Sequence, residues 1–303
     1  MKIKNKLKLA LDWTPNINHI GFFIACEKLL YEKYNLKVEI EDPSFDNYKL
    51  TPAKKLENGF VDFALCPLES IISYRYKENP INFLAIAKLF DSDLSAIATN
   101  TDKIKSPKDL DGKSYASYNA RYEDKIICEM VKNDGGKGNI DFVYPEKLGI
   151  WNTLENMKYD STWIFLNWEG VQAESNKLNL KYFKMKDYNI PYSYSPVITA
   201  REDCIRNKFS IYKRFLSATK EGFIFAKKNK QESIEILSKF IPSHERNIDL
   251  KKSLSMTNDN FKEKDWGIMH KKNIKNFTDW LIKMKLVNKN LDYSKLFTNT
   301  LIS

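Results

Sequence analysis

The chain has 303 residues, 43% hydrophobic and 13% aromatic, which is enough to build the cores of two domains or one large one and too apolar for a disordered chain. Its formal charge of +10, from 49 Lys and Arg against 39 Asp and Glu, is spread over lysines interleaved with acids, as in KKNKQESIEILSKF, so it describes a solvated surface and argues against a nucleic-acid partner. No segment approaches the ~20 apolar residues of a membrane span.

In chain order, the signals alternate between strand and helix. LKLAL reads as a short buried strand and leads through DWTPNIN into an amphipathic helix over about 19–34. LKVEIE alternates as a strand should. TPAKKLENG is a short helix capped by Thr51, with Pro52 in its first turn and Gly59 at its end. VDFALC is a strand, PLESIISYRYKE a helix opened by Pro67, and INFLAIAKL a strand. The alternation then restarts. LSAIATN is a strand, SPKDLDGK a short helix and turn, and SYASY a strand leading through NARYE into the helix DKIICEMVKN. IDFVY is a strand, EKLGIWNTLEN a helix, STWIFL a strand, WEGVQAES a helix and LNLKYFKM a strand. PVITA is a strand able to return to the first unit, and the remainder to about 286 is helical. Such alternation implies largely parallel sheets flanked by helices. The expected fold class is α/β, with lobe 1 formed by 1–92 plus 200–303 and lobe 2 by 93–199. Chain crossings near 90–95 and 195–200 make a hinge, and strand ends of both lobes face one cleft suited to a small molecule.

Cys26, Cys66, Cys128 and Cys204 lie far apart, with no Cys-x-x-Cys pair and no histidine nearby, so no metal site is expected. Four scattered cysteines fit a reducing compartment, with two disulfides as the alternative. MKIKNKLKLALDW lacks the apolar stretch and cleavage site of an export signal. As it stands the chain reads as cytoplasmic; a trimmed mature protein of the periplasm or cell surface would read the same.

The turn after the first strand concentrates Asp12, Trp13, Asn16, Asn18 and His19. One reading is a helix start capped by Asn16 or Asn18, with Trp13 as packing. The other is a ligand-facing wall at the strand ends of an α/β sheet. His19 is either a hydrogen-bond donor to ligand or a histidine bonded to backbone. Glu69 either favours its helix N-terminus or faces the cleft. Trp163 reads as core, whereas Trp168 and Glu169 sit just past the end of their strand. SYNARYED joins a strand to a helix without the three-glycine dinucleotide fingerprint. Its free amides and Arg121 could hold an anion, or Arg121 could pair with Glu123 or Asp124 on the helix surface. No Ser-His-Asp spacing, paired-carboxylate motif or P-loop points to an enzyme class.

LALDWTPNINHIGFFIA, TPAKKLENGFVDFALCPLESIISY, DLDGKSYASYNARYED, KLGIWNTLE, TWIFLNWEGVQAE and YNIPYSYSPVITARED together resemble the thiamine-pyrimidine branch of the type II solute-binding-protein superfamily. Formylaminopyrimidine-binding proteins of bacterial importers and fungal thiamine pyrimidine synthases belong to that branch, and the likeness runs over about 5–285. It implies a two-lobed type II periplasmic-binding-protein fold, a small aminopyrimidine ligand of thiamine precursor uptake or salvage, and an ABC permease as partner, or alternatively a cytosolic synthase-like enzyme. An aminopyrimidine offers a flat π face for sandwiching aromatic rings, and an amino edge for a carboxylate. The residues expected to bind it are Asp12, Trp13, Asn18, His19, Glu69, Tyr118, Arg121, Trp168, Glu169, Tyr192 and Tyr194. The family's phosphate loop contains glycine, where this chain has Asn119 and Ala120. Cys66 stands where the synthases' reactive lysine would be, Ser70 where their sacrificed histidine would be, and PYSYS where their cysteine cluster would be. A pyridoxal imine needs a lysine amine and iron ligation by thiolates needs the cysteines. No cofactor or catalytic residue is therefore expected.

Overall fold

The computed structural model describes residues 5–145 and 153–302. The first strand, β1 (Asn5–Ala10), pairs in parallel with β2 (Leu36–Glu41) and with β3 (Phe63–Cys66). Between β1 and β2 the expected single helix is two, α1 (Ile20–Glu27) and α2 (Leu30–Lys33), because Leu29 takes a left-handed φ of 53° and interrupts the turn. The helix α3 (Pro52–Glu57) is capped by the Thr51 side chain, and Gly59 beyond it has φ 72°. In α4 (Leu68–Tyr76), Pro67 stands at the N-cap, and β4 (Phe83–Lys88) follows.

The chain then enters a second sheet through β5 (Ser95–Thr99), β6 (Ser114–Ala116), the helix α5 (Glu123–Asn133), β7 (Asp141–Val143) and β8 (Ser161–Phe165). The start of the helix expected at EKLGIWNTLEN lies outside the described residues. The helix expected at WEGVQAES begins instead with a wider π turn over Leu166–Gly170 before α6 (Val171–Ser175), a local irregularity of a kind frequent beside functional sites. After β9 (Lys181–Phe183) the chain returns to the first sheet as β10 (Val197–Arg201), so the lobe boundary expected at 199 falls inside a strand of that sheet. Five helices close the chain: α7 (Glu202–Asn207), α8 (Phe209–Lys228), α9 (Lys230–Ser238), α10 (Leu250–Asn258) and α11 (Lys271–Lys283).

The two sheets share one plan, β2-β1-β3-β10-β4 and β7-β6-β8-β5-β9. Neither is wholly parallel: β10 runs against β3 and β4, and β5 against β8 and β9. These are the strands that enter from the opposite lobe, so each is threaded in the reverse sense. Alternation along the strands supplies a core to both faces of each sheet. Leu9, Phe63 and Leu65 face one core of the first sheet, while Ala10, Ala64 and Cys66 face the other. Ile97 and Ala98 divide in the same way between the two cores of the second sheet.

Helices α1 and α8 lie backbone to backbone. A Cβ on Gly222 would sit 2.1 Å from the Gly21 carbonyl oxygen, and one on Gly21 would sit 2.1 Å from the Phe223 ring. This contact anchors α1, and with it the preceding Asp12–His19 turn, to the first lobe. No described helix is long and apolar enough to cross a membrane.

Candidate functional site

Between the lobes lies a cavity of about 430 Å³, walled by the turn after β1, the start of α3, the β3–α4 junction, the loop before α5, the end of β8 and the segment before β10. Strand ends converge here because both sheets point the same termini toward the crossings. Nine of the eleven residues singled out from sequence line it: Asp12, Trp13, Asn18, Glu69, Tyr118, Arg121, Trp168, Glu169 and Tyr192.

The other two stand behind the wall. His19 is fully buried. Its Nδ1 accepts the Asn16 N–H at 3.2 Å, which leaves the Nε2–H to donate to Asp12 Oδ1 at 2.8 Å. His19 thus holds the cavity carboxylate in place and does not meet the cavity itself. Asn16 also caps the turn, its side chain accepting from Asn18 N, so the capping reading and the cleft-wall reading describe the same turn. Tyr194 packs into the α4 and α11 core, where its hydroxyl accepts from His270 N at 3.0 Å and Asn273 Nδ2 at 3.1 Å. In a regular extended segment Tyr192 and Tyr194 would share a face; Tyr194 instead takes a left-handed φ of 56°, which breaks the alternation, so Tyr192 lines the cavity while Tyr194 packs into the core.

The rings make corners. Trp13 meets Tyr118 edge-on at 5.9 Å between centroids and 72°, and Trp163 meets Tyr192 at 5.1 Å and 69°. Trp163, expected as core, packs against the second sheet's core and also lines the cavity. The expected pair of parallel walls is absent from these two contacts. A flat ring entering here stacks on one face and meets the next ring by its edge. Tyr48, not anticipated from sequence, props Trp13 from behind at 5.5 Å.

Among the described residues, four carboxylates line the same cavity (Asp12, Glu69, Glu123 and Glu169), against a single guanidinium, that of the exposed Arg121, and no lysine. Glu69 accepts from Tyr192 Oη at 2.7 Å through Oε1, while its buried Oε2 has no partner among the described residues. Burial pushes its carboxyl up to about 7. Glu169 accepts the Phe165 N–H at 2.9 Å, and burial raises it also to about 7. Cys66 lies against Thr199 Oγ1 at 3.1 Å, and burial pushes its thiol up to about 12, so at neutral pH it is an inert protonated group.

Glu123 is the residue that sequence reading missed. Of the two sequence readings of this loop, one has Arg121 and free amides holding an anion and the other has Arg121 paired with Glu123 or Asp124 on the helix surface. Glu123 is instead 3% exposed and bonded to Tyr115 Oη and to loop amides, and Asp124 accepts from Ser117 Oγ and Tyr144 Oη. The Arg121 guanidinium lies 5.7 Å over the Tyr122 ring. A signal was present: an acid at the first position of a helix, after a loop whose amides need acceptors.

Trp168 fixes one lobe to the other. Its ring is buried in the first lobe's core, and its Nε1–H donates to Glu245 Oε2 at 3.0 Å, while Thr14 Oγ1 donates to Glu245 Oε1 at 2.8 Å. Beside it Asn167 Nδ2 donates to Asn18 Oδ1 at 2.7 Å and to Thr257 Oγ1 at 2.9 Å. These bonds tie the π turn of the second lobe to the opening turn and to α10 of the first. Among the described residues no group of three or more His, Cys, Asp or Glu side chains is placed to hold a metal ion.

The chain is 21% identical over 233 residues to a formylaminopyrimidine-binding protein of Halalkalibacterium halodurans, covering 76% of this chain and 69% of that one. It is 22% identical over 244 residues to a Haemophilus influenzae protein named for thiamine biosynthesis, covering 79% and 75%. A Candida albicans gene product, described as defining a family with the generic periplasmic binding protein structural fold, superposes with a TM-score of 0.69 at 15% identity, over 97% of this chain and 96% of that one. These likenesses agree with the two-sheet architecture and establish the periplasmic-binding-protein fold. The family model described as NMT1/THI5 like matches residues 16–233, more than two thirds of the sequence, and the chain belongs to that family.

Proposed function

We propose that this chain binds a small thiamine-related aminopyrimidine in the cavity between its lobes, as the solute-binding protein of thiamine precursor uptake or salvage, with an ABC permease as partner where it serves uptake. The observation that carries this reading is the combination of aromatic corners with four carboxylates in one cavity. Buried acids with an unfilled acceptor, such as Glu69 Oε2, favour a ligand that brings N–H donors. A flat ring with an amino group beside a ring nitrogen meets both demands: its face stacks on Trp13, Trp163 or Tyr192, and its amino edge donates to a carboxylate. The same lining disfavours an anionic solute such as a sulfonate, which would enter, among the described residues, beside four acids with one guanidinium to offset them. The name of the Halalkalibacterium relative points the same way.

Binding is favoured over catalysis by the reactive positions. Cys66 occupies the place of the resembling synthases' lysine and is a buried, protonated thiol. Ser70 occupies the place of their histidine and lines the cavity. The test is native mass spectrometry of the purified chain against hydroxymethylpyrimidine, its formylamino form, thiamine and pyridoxal phosphate. The reading expects a non-covalent adduct with a pyrimidine whose mass stays unchanged after dissociation. A covalent pyridoxal adduct, or a chemically altered pyrimidine, overturns it in favour of an enzyme.

A further inference from the structure

We propose that Glu123 is a specificity-determining residue: its carboxylate fills a cluster of converging backbone amides in the cavity, and so restricts the site to ligands that bear no phosphate at that end. This inference rests on the reading that the cavity takes an aminopyrimidine, and it adds which form of that ligand is accepted.

The loop between β6 and α5 runs from Ser117 to Tyr122, and its amides are directed to the chain's own acceptors. Tyr118 N–H donates to Glu123 Oε1 at 3.2 Å and Ala120 N–H to Glu123 Oε2 at 3.2 Å, with Tyr115 Oη donating to Oε1 at 3.0 Å. Asn119 N–H donates to Ser117 Oγ at 3.0 Å, and Ser117 Oγ donates to Asp124 Oδ1 at 2.7 Å. Glu123 N–H closes on Ala120 O at 3.1 Å. Amides of this kind, at the start of an 11-residue helix, are the usual seat of a phosphate. Here each partner they have is internal, and the acid that takes them lines the cavity while being almost wholly buried.

A phosphate approaching this loop meets two costs. It must displace Glu123 from three donors, leaving a buried acid without partners. It must also lie beside that acid and within the same cavity as Asp12, Glu69 and Glu169, all of like charge. Arg121, exposed and turned over Tyr122, is a weak counterweight. A neutral hydroxymethyl group meets neither cost.

The experiment is isothermal titration calorimetry at about pH 8, where a carboxylate of this kind is largely ionised. The probes are hydroxymethylpyrimidine, its phosphate monoester, and inorganic phosphate. The proteins are the natural chain, Glu123→Ala and Glu123→Gln, each checked for folding by circular dichroism. The natural chain is expected to prefer the alcohol over the monoester by about tenfold or more and to show no heat with inorganic phosphate. Glu123→Ala is expected to narrow that ratio by about tenfold and to bind inorganic phosphate. Glu123→Gln, which keeps the size and one acceptor but not the charge, is expected to narrow the ratio by a smaller factor, and it decides the matter should the alanine variant not fold. Equal affinity of the natural chain for alcohol and monoester overturns the proposal. So does unchanged discrimination in a folded variant. Inorganic phosphate is read without any pyrimidine, so a chain that binds neither pyrimidine fails the functional reading alone, while the phosphate titration of Glu123→Ala still decides the role of Glu123.

Discussion

Replacing Glu69 with glutamine should stabilise the protein and weaken its ligand binding, and the two effects have separate origins. Burial lifts the Glu69 carboxyl from its ordinary 4.5 to about 7. An acid whose folded pKa is raised binds its proton more tightly in the native state. Its contribution to stability is therefore present at low pH and is lost as the pH rises through the folded value near 7. At 1.36 kcal/mol per unit, the ionised group costs on the order of 3 kcal/mol at about pH 8.5 and almost nothing below about pH 4.5. Glutamine keeps one oxygen to accept from Tyr192 Oη and turns the partnerless Oε2 position into a donor. Urea unfolding should therefore show Glu69→Gln more stable than the natural chain by about 2–3 kcal/mol at about pH 8.5, with the difference shrinking toward zero at about pH 5. Calorimetry with hydroxymethylpyrimidine should show affinity falling by about 10- to 100-fold, because a charged acceptor for the amino edge is worth ~1.5–3 kcal/mol. A variant that is less stable at high pH, or that binds the pyrimidine as well as the natural chain does, refutes the assignment of Glu69 as a strained acceptor held for ligand.

Other consequences concern separate parts of the molecule. Trp13→Ala should weaken pyrimidine binding by ~1–3 kcal/mol and cost less in unfolding than a fully buried ring would, since Trp13 is only partly buried at the cavity; calorimetry beside urea denaturation separates the two. Trp168→Phe removes the Nε1–H donated to buried Glu245 and also one ring of a fully buried indole, and should cost ~1.5–3 kcal/mol or more in a denaturant titration. Gly21→Ala drives a methyl into the Phe223 ring, so α1 and α8 must separate, and a loss of about 1–3 kcal/mol or more in thermal or urea unfolding is expected.

Strand alternation and helix caps in the sequence anticipated most of the architecture, because each element carries its own local signal. LKVEIE became β2 over the same residues, and Thr51 caps α3 as its position before Pro52 implied. The reversed direction of β5 and β10 was not legible, since antiparallel pairing depends on which lobe a strand enters from and leaves no mark in its own residues. Leu29, an exposed leucine in a left-handed conformation, broke a helix that its flanking residues favoured. In the site, the Asp12–Asn18 turn could be read because polar and aromatic residues clustered at a strand end. His19 could not be placed, because a histidine that orients a carboxylate and one that meets a ligand have the same neighbours in sequence. Sequence separated Trp163 as core from Trp168 as cleft, but both line the cavity: the tryptophan inside the strand faces it in part, and the one beyond the strand does so while also sunk in the other lobe's core. Glu123 escaped notice because its partners are backbone amides, which a side-chain pattern does not display.

The claim that an acid-lined aromatic cavity takes a flat heterocycle with an amino edge is tested most directly by titrating the natural chain, in one calorimetric series, with hydroxymethylpyrimidine and with an alkanesulfonate of similar size. The account predicts saturable one-to-one heat with the pyrimidine and none with the sulfonate. Heat with the sulfonate and none with the pyrimidine would contradict it.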